Sequence, residues 1–421
     1  MLTPYRDVLA HPGALRFSVS GFLARLPISM LTLGVVLLVS GTGRSYALAG
    51  AAAAAVSLGF VVAGPQLGRL VDRYGQAAVL RPTALAQTVT LLAVIVAGTR
   101  HAPGPVLVLL AGLLGMSIPS IGGMVRARWS ALLVQGPDHP KHMHTAFSLE
   151  SVIDEVIFIV GPILATLLAT TVHPAAGLAA VLAVGPTGAL ALAAARGTEP
   201  PATPRSTADG DHPRLASAGL LVVIGVFVAM GAVFGAVEVA VVAFTEAEGH
   251  RSAAGGVLAL YAFASMTAGI VFGATRRDAP ARQGFVGGAV GIGVTALALP
   301  QMGSIGALVA LMLLAGLSIS PTLISGMALV RELAAPARLN EGFAWATTGL
   351  AVGLMIGSAA AGYLASRAGA AEAFWPASIS ALAGAALAAA GATRLRSAVP
   401  AAALPAAQPI APPIPVLGLP E

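Results

Sequence analysis

Apolar runs of about 20 residues, each long enough to cross a hydrocarbon core, recur along the whole of this 421-residue chain. Inside a bilayer no water satisfies backbone N–H and C=O groups, so each run is confined to a helix that bonds itself. Reading run by run predicts spans at 17–40, 46–67, 79–98, 105–125, 146–168, 176–195, 217–243, 253–274, 284–300, 305–329, 342–364 and 375–393. The expected fold is an all-α membrane protein with twelve transmembrane helices. Composition agrees: 57% hydrophobic and 10% charged residues with a mean hydropathy of +0.87 lie far from the roughly 25% charge of a soluble domain. A formal charge of +6 invites a nucleic-acid partner, but the basic residues sit in short segments between apolar runs, where they orient helices. No nucleic acid is expected. With no cysteine there is neither a thiolate metal site nor a disulfide framework.

The basic residues also predict which side each loop faces. Starting from an inside N-terminus, only Arg44, Arg100, Arg251 and Arg367 fall outside and Arg25 falls within a span; the remaining eighteen of the 23 Lys and Arg face the cytoplasm. That bias follows the positive-inside rule, so both termini are expected in the cytoplasm. The longest polar internal segment, 196–215, carries Pro200, Pro201, Pro204 and Pro213 and is expected to be a flexible cytoplasmic linker. It separates an N-terminal six-helix bundle (1–195) from a C-terminal one (216–396), and residues 397–421 form an Ala/Pro-rich tail expected to be disordered. An Ala/Gly/Arg-rich composition with a single lysine suggests a high-GC bacterium and hence its plasma membrane, with the chain a monomer among lipids.

Three acids interrupt the fifth run: Glu150, Asp154 and Glu155 lie in a stretch otherwise apolar enough to be buried in lipid. An ionised carboxylate at mid-membrane costs roughly 2.5–3.5 kcal/mol on insertion scales, so it must be protonated, paired or facing a wet cavity. Glu150 and Asp154 share a helix face at i,i+4, while Glu155 is turned about 100° away. Carboxylates this close cannot all stay ionised in a poor dielectric, and one that holds a proton near neutral pH can load it on one side and release it on the other. Arg25, about 16 Å into the first span, lies near the depth of Asp154 and is its natural counter-ion or a substrate ligand. Each motif also has a plainer reading. For Arg25–Asp154 it is a static bridge between helices, with Glu150 snorkelling to the surface. His139, His142 and His144 read as a solvated loop rather than a metal site.

The two halves repeat. Phe147, Gly161 and Leu168-Ala169 align with Phe343, Gly357 and Leu364-Ala365 at one offset, and Gly68 to Arg73 answers Gly273 to Asp278. A six-plus-six repeat implies two pseudo-symmetric six-helix bundles around a central cavity. Proline and glycine within spans are expected to break helices that line it: Pro27, Gly64-Pro65, Pro119, Gly161-Pro162, Pro186 and Pro321. Ser117 and Ser120 around Pro119, and Ser318, Ser320 and Thr322 around Pro321, are the candidate lining groups; close helix packing by small residues is the plainer alternative.

Between spans two and three, Gly68-Arg69-Leu70-Val71-Asp72-Arg73-Tyr74-Gly75 resembles the G-x-x-x-D-R-x-G signature of the major facilitator superfamily, with Gln76 and Ala77 where a basic pair is usual. Gly161-Pro162 resembles the core of the superfamily's antiporter motif, although Ala165 replaces a following glycine; the mid-helix arginine of span four is absent, Arg126 and Arg128 coming at its cytoplasmic end. The resemblance implies that spans one and five touch, bringing Arg25 to the acids. It also implies a cytoplasmic latch of Gly68, Asp72, Arg73 and Gly75, with Asp72 against the start of helix eleven near Asn340-Glu341-Gly342. The function it implies is a proton-coupled exporter of a small drug-like molecule or metabolite, working by alternating access, with Asp154, Glu155 and Glu150 coupling the protons. An uptake symporter or facilitator of the same fold, and a non-transporting sensor, are the alternatives. No G-x-x-x-x-G-K-S/T loop, H-E-x-x-H or G-x-S-x-G element occurs, so no enzymatic activity, cofactor or metal is expected.

Overall fold

Each of the twelve apolar runs is helical in the computed structural model, which describes residues 3–133, 139–202, 217–250, 253–275 and 280–395. The helices are α1 (Thr3–Leu9), α2 (Ala14–Gly41), α3 (Tyr46–Tyr74), α4 (Gln76–Thr99), α5 (Gly104–Met116), α6 (Ile121–Leu132), α7 (His139–Thr171), α8 (Ala176–Ala194), α9 (Ala218–Ala247), α10 (Ala253–Ala274), α11 (Ala281–Ala296), α12 (Ile305–Leu333), α13 (Leu339–Arg367) and α14 (Trp375–Ala390). Together α5 and α6 make the fourth span, so α2 to α8 and α9 to α14 are two sets of six. The expected tail, linker residues 203–215, Arg251 and Arg276 to Asp278 lie outside the described residues.

Several helices run further than apolarity alone indicates. Helix α7 begins at His139, so the histidine-rich segment is helical rather than a loop; the His142 ring meets His11 and the His144 ring packs on Phe272. Of the prolines expected to break spans, only Pro119 does so, leaving residues 117–120 non-helical between α5 and α6. Pro27, Pro65, Pro162, Pro186 and Pro321 are held inside continuous helices. Beside Pro162 the Ser29 hydroxyl of α2 donates to the Ile157 carbonyl at 2.9 Å, one residue before the Phe158 carbonyl that the proline leaves without its helical donor. Gly161 makes this approach geometrically feasible, because a Cβ there would collide with the Ser29 side chain. Gly161-Pro162 is thus a helix-contact element and not a helix break.

The halves meet where α3 packs on α13 and where α7 packs on α10 and α12. Both seams close tightly on the face that carries the described chain ends, Thr3 and Leu395, called here the terminal face. Gly68 of α3 lies against Ala344 of α13, where an added Cβ would stand 2.9 Å from the alanine Cβ. In the other seam Gly273 of α10 lies against Ser148 of α7 in the same manner. Ser148 and Ala344 occupy equivalent positions of the repeat, so the two seams are one contact used twice. Between them the Phe147 and Phe343 rings, themselves repeat partners, meet at 6.2 Å across the pseudo-twofold.

The far side is open. Phe147 and Phe158 lie eleven residues apart on α7, hence within about 20° of one another. Phe147 is buried against the opposite half, whereas Phe158, three turns toward the far face, is 57% exposed. A single stripe therefore passes from a closed floor to an open cavity between the bundles. Replacing Gly68 with leucine is expected to wedge the α3–α13 seam apart. The readout is the distance between spin labels on the terminal-face ends of those helices, which lengthens in the variant; the absence of native cysteine leaves no background labelling.

Candidate functional site

The fifth span divides its acids between two directions, as helical geometry requires. Glu150 and Asp154 point into the N-terminal half. The Arg25 guanidinium of α2 donates to Glu150 at 2.5 Å and to Asp154 at 2.7 Å. Arg126 of α6 donates to the other Asp154 oxygen at 2.9 Å, and the Trp129 indole N–H donates to Glu150 at 2.8 Å. Glu150 is fully buried, so it does not snorkel; Asp154 keeps 32% of its side chain exposed toward the cavity.

The sequence groups Arg126 with the cytoplasmic surface charges, yet it is buried in the protein. Two signals in the chain bear on this. The fourth apolar run ends at residue 125, one short of Arg126, and the break at Pro119 restarts the helix only at Ile121, so Arg126 is little more than one turn past that restart. Two arginines face two carboxylates here, giving a neutral quartet. Buried ions of this kind are stable only as a complete set; removing one partner typically costs about 3–5 kcal/mol.

Among the described residues the C-terminal half has no comparable set of ions within its helices. The repeat partner of the α2–α7 contact is the α9–α13 contact, where Gly231, Gly235, Gly353 and Gly357 bring two backbones together. One half joins its helices through ions, the other through glycine.

Glu155 points the opposite way, into the seam between halves. It accepts a short hydrogen bond from the Ser265 hydroxyl of α10, which lies 2.9 Å from Ser320 Oγ of α12. Among the described residues no cation pairs with it. Ser265 was not singled out from sequence, since one serine in an apolar helix carries no signal without its partner.

The other expected residues are distributed as follows. The Ser120 hydroxyl meets Thr347 of α13 at 3.0 Å across the cavity floor, and Ser117 donates back to Leu114. Ser318 and Thr322 turn to α11, against Gly291 and Gly288, rather than to the opposite half; a helix presents only one face to the seam, and Ser320, fully buried beside Ser265, holds it without lining an open cavity. Apart from these, Glu238, an acid within the seventh span, is exposed in the half of α9 nearer the far face.

The terminal-face latch is built on Asp72. Its Oδ1 accepts the backbone N–H of Asn340 at 3.0 Å and the Asn340 side-chain amide at 2.8 Å, and its Oδ2 accepts the Glu341 N–H at 2.8 Å. A carboxylate thus caps the N-terminus of α13, where the helix dipole favours negative charge. Arg73 does not join the latch: it is exposed and lies over the Tyr74 ring. Arg69 takes that part, donating to Glu341 at 2.9 Å beside Arg338. Gly75 ends α3 at a φ of 89°, a backbone conformation suited to glycine.

Gln76, standing where a basic residue is usual, accepts from Arg128 at 2.7 Å and donates to the Met124 carbonyl at 3.0 Å. Arg128 also holds Ala195 and Thr198, and Glu199 accepts the Ala77 N–H at 2.8 Å. The first linker residues are therefore fastened to the N-terminal half, not free as expected. In the second seam, Thr145 donates to the Gly273 carbonyl at 3.1 Å and Tyr5 of α1 donates to the Ile270 carbonyl at 2.9 Å. Burial pushes the Tyr5 phenol up to about 12, so it remains a donor at any physiological pH.

Two six-helix halves, a latch at the second loop and a cavity between them describe a transporter, and the sequence profile of the Major Facilitator Superfamily matches residues 17–279. The chain belongs to the major facilitator superfamily. It is a multi-pass membrane transporter of the secondary type, not an enzyme. A search of curated proteins by sequence returned no match. Among solved structures, a bacterial homologue of the iron transporter ferroportin in its outward-facing state superposes with a TM-score of 0.69 at 15% identity, covering 90% of this chain and 98% of that one. The human organic anion transporter MFSD10 (TETRAN) gives 0.64 at 14% identity over 94% of this chain and 100% of its own. The E. coli fucose:proton symporter FucP gives 0.64 at 13% identity, covering 90% and 98%. At these identities the likeness is one of fold.

Replacing Arg25 with glutamine is expected to strand the Glu150 carboxylate, Asp154 keeping Arg126, and lower stability by about 3–5 kcal/mol, read as a drop in thermal unfolding temperature in detergent. The double variant Arg25→Gln/Glu150→Gln, which restores charge balance, recovers part of the loss.

Proposed function

We propose that this transporter is a proton-coupled exporter that exchanges protons for a small drug-like molecule or metabolite, and that Glu155 carries the proton. Three acids and two arginines lie at the depth of the cavity. Four of these groups neutralise one another, and Glu155 is the remainder. It also sits in the seam that must open and close as the halves rock, bonded to Ser265 on the other half. A hydroxyl serves either form of such a group, donating to the carboxylate or accepting from the carboxyl. Neutralising Glu155 therefore changes the cost of burying it between the halves, which is the coupling an alternating cycle needs.

The arginine bias supports a cytoplasmic terminal face, with both termini inside, and a plasma-membrane location. On that assignment the cavity opens outward and Asp72 latches the cytoplasmic side. The gradient supplies about 2.3 kcal/mol per charge for each ~100 mV and about 1.4 kcal/mol per pH unit. Asp154 and Glu150 serve as the counter-ions that hold Arg25 and Arg126, while Gly161-Pro162 gives the export direction its support from sequence.

Cells with and without the gene are to be compared for drug susceptibility and metabolite retention, then inverted vesicles for proton-driven accumulation. Glu155→Gln is expected to abolish that accumulation while ligand binding persists. Asp154→Asn leaves an unbalanced arginine and is expected to lower thermal stability as well. Full proton-driven transport by Glu155→Gln sinks the assignment of the carrier, and proton-driven accumulation only into right-side-out cells sinks export.

A further inference from the structure

The charges around the cavity also constrain what the transporter carries. Taken alone, Arg25 suggests an anion-binding cavity. The structure removes that option: Arg25 is committed to Glu150 and Asp154, and Arg126 to Asp154. With all five groups ionised the set holds one negative charge in excess, and it resides on Glu155. Glu238 is left out of this count because it stands on α9, nearer the far face, with its side chain exposed rather than set in the seam beside Glu155.

No other charge from the packed helices offsets Glu155. On α7 the adjacent acid is Asp154, already shared by two arginines. Helix α10 has no charged residue and contributes the buried Tyr261, one turn from Ser265. Helix α12 has only Arg331 and Glu332, three turns away from Ser320 at the terminal face. A lone buried charge needs one positive charge of either kind, a proton or a cationic ligand.

A second feature points to a ligand at the same place. Ser151, one turn from Glu155 on the same face of α7, is 4% exposed, and its hydroxyl has no partner. A buried, unpaired hydroxyl is costly unless something else bonds it for part of the cycle. One turn from Glu155 toward the far face, Phe158 presents its ring to the open cavity. An aromatic face beside an unpaired carboxylate suits an organic cation, whose charge meets the carboxylate while its body covers the ring.

We propose that the substrate is a lipophilic organic monocation that displaces the proton from Glu155, one for one, with Phe158 setting the preference for aromatic or bulky apolar bodies. The inference rests on Glu155 being the proton carrier. Exchange then runs without net movement of charge: the cation binds the carboxylate as the proton leaves to the cytoplasm, and a proton from outside later releases the cation.

The test uses purified full-length protein with ethidium and tetraphenylphosphonium as monocations, propidium as a dicationic analogue of ethidium, and 8-anilinonaphthalene-1-sulfonate as an anion. In weakly buffered detergent solution, saturating monocation is expected to release about one proton per chain, with affinity falling about tenfold per pH unit on the acid side of the titration. Propidium and the anion are expected to bind at least tenfold more weakly. In liposomes ethidium accumulation should follow an imposed pH gradient and ignore a potassium-diffusion potential. Phe158→Ala is expected to weaken ethidium about tenfold, and Glu155→Gln, checked for native helix content, to release no proton; Glu155→Asp serves as the folded control.

If the anion releases or takes up protons while neither monocation does, or if neither monocation releases a proton at all, the substrate class is wrong. Accumulation driven by the potential sinks the one-for-one exchange. Undiminished proton release from Glu155→Gln overturns the carrier itself, which separates that failure from the others.

Discussion

Charge burial governs this molecule more than any other single constraint. A hydrocarbon medium tolerates ionised side chains only in balanced sets, and the N-terminal half meets that condition with two arginines and two carboxylates drawn from α2, α6 and α7. Because the set is neutral and hydrogen-bonded, it can be rigid. Because a third acid, Glu155, stands one residue away on another face of the same helix, the balance is complete without it. The quartet holds the helix in place, and the helix holds Glu155 at the joint between halves.

That joint is constructed twice from one pattern. Gly68 against Ala344 and Gly273 against Ser148 are repeat-related contacts, closed by different chemistry. The first seam adds a carboxylate cap, Asp72 on the N-terminus of α13, and a pair from Arg69 to Glu341. The second adds neutral hydrogen bonds from Thr145 and Tyr5 to carbonyls at the end of α10. Each bond is modest by itself and lies at a helix end, so the seam can part without disrupting a helix. Glycine at both crossings lets the backbones approach closely, which makes the closed state sensitive to any added volume.

Much of this was legible beforehand because it depends on spacing within one helix. Apolar length located the spans, and i,i+4 geometry set Glu150 and Asp154 on one side and Glu155 on another. The resemblance of the second loop led to Asp72 and to the start of α13. What failed to read were contacts that need two distant segments. Arg126 looked like a surface charge until the break at Pro119 and the position of α7 brought it to Asp154. Arg73 and Arg69 are both arginines in the motif, and only the helix phase decides that Arg69 meets Glu341. Ser318, Ser320 and Thr322 surround one proline, yet only Ser320 faces the opposite half.

By itself, then, the chain determined its medium, its helices, their twofold repetition and the depth of its buried acids, since burial cost and helical rise act locally along the sequence. Tertiary packing alone decided which acids are neutralised and which one remains. Pairing depends on the direction each helix face takes across a bundle, and no spacing along a single segment encodes that direction.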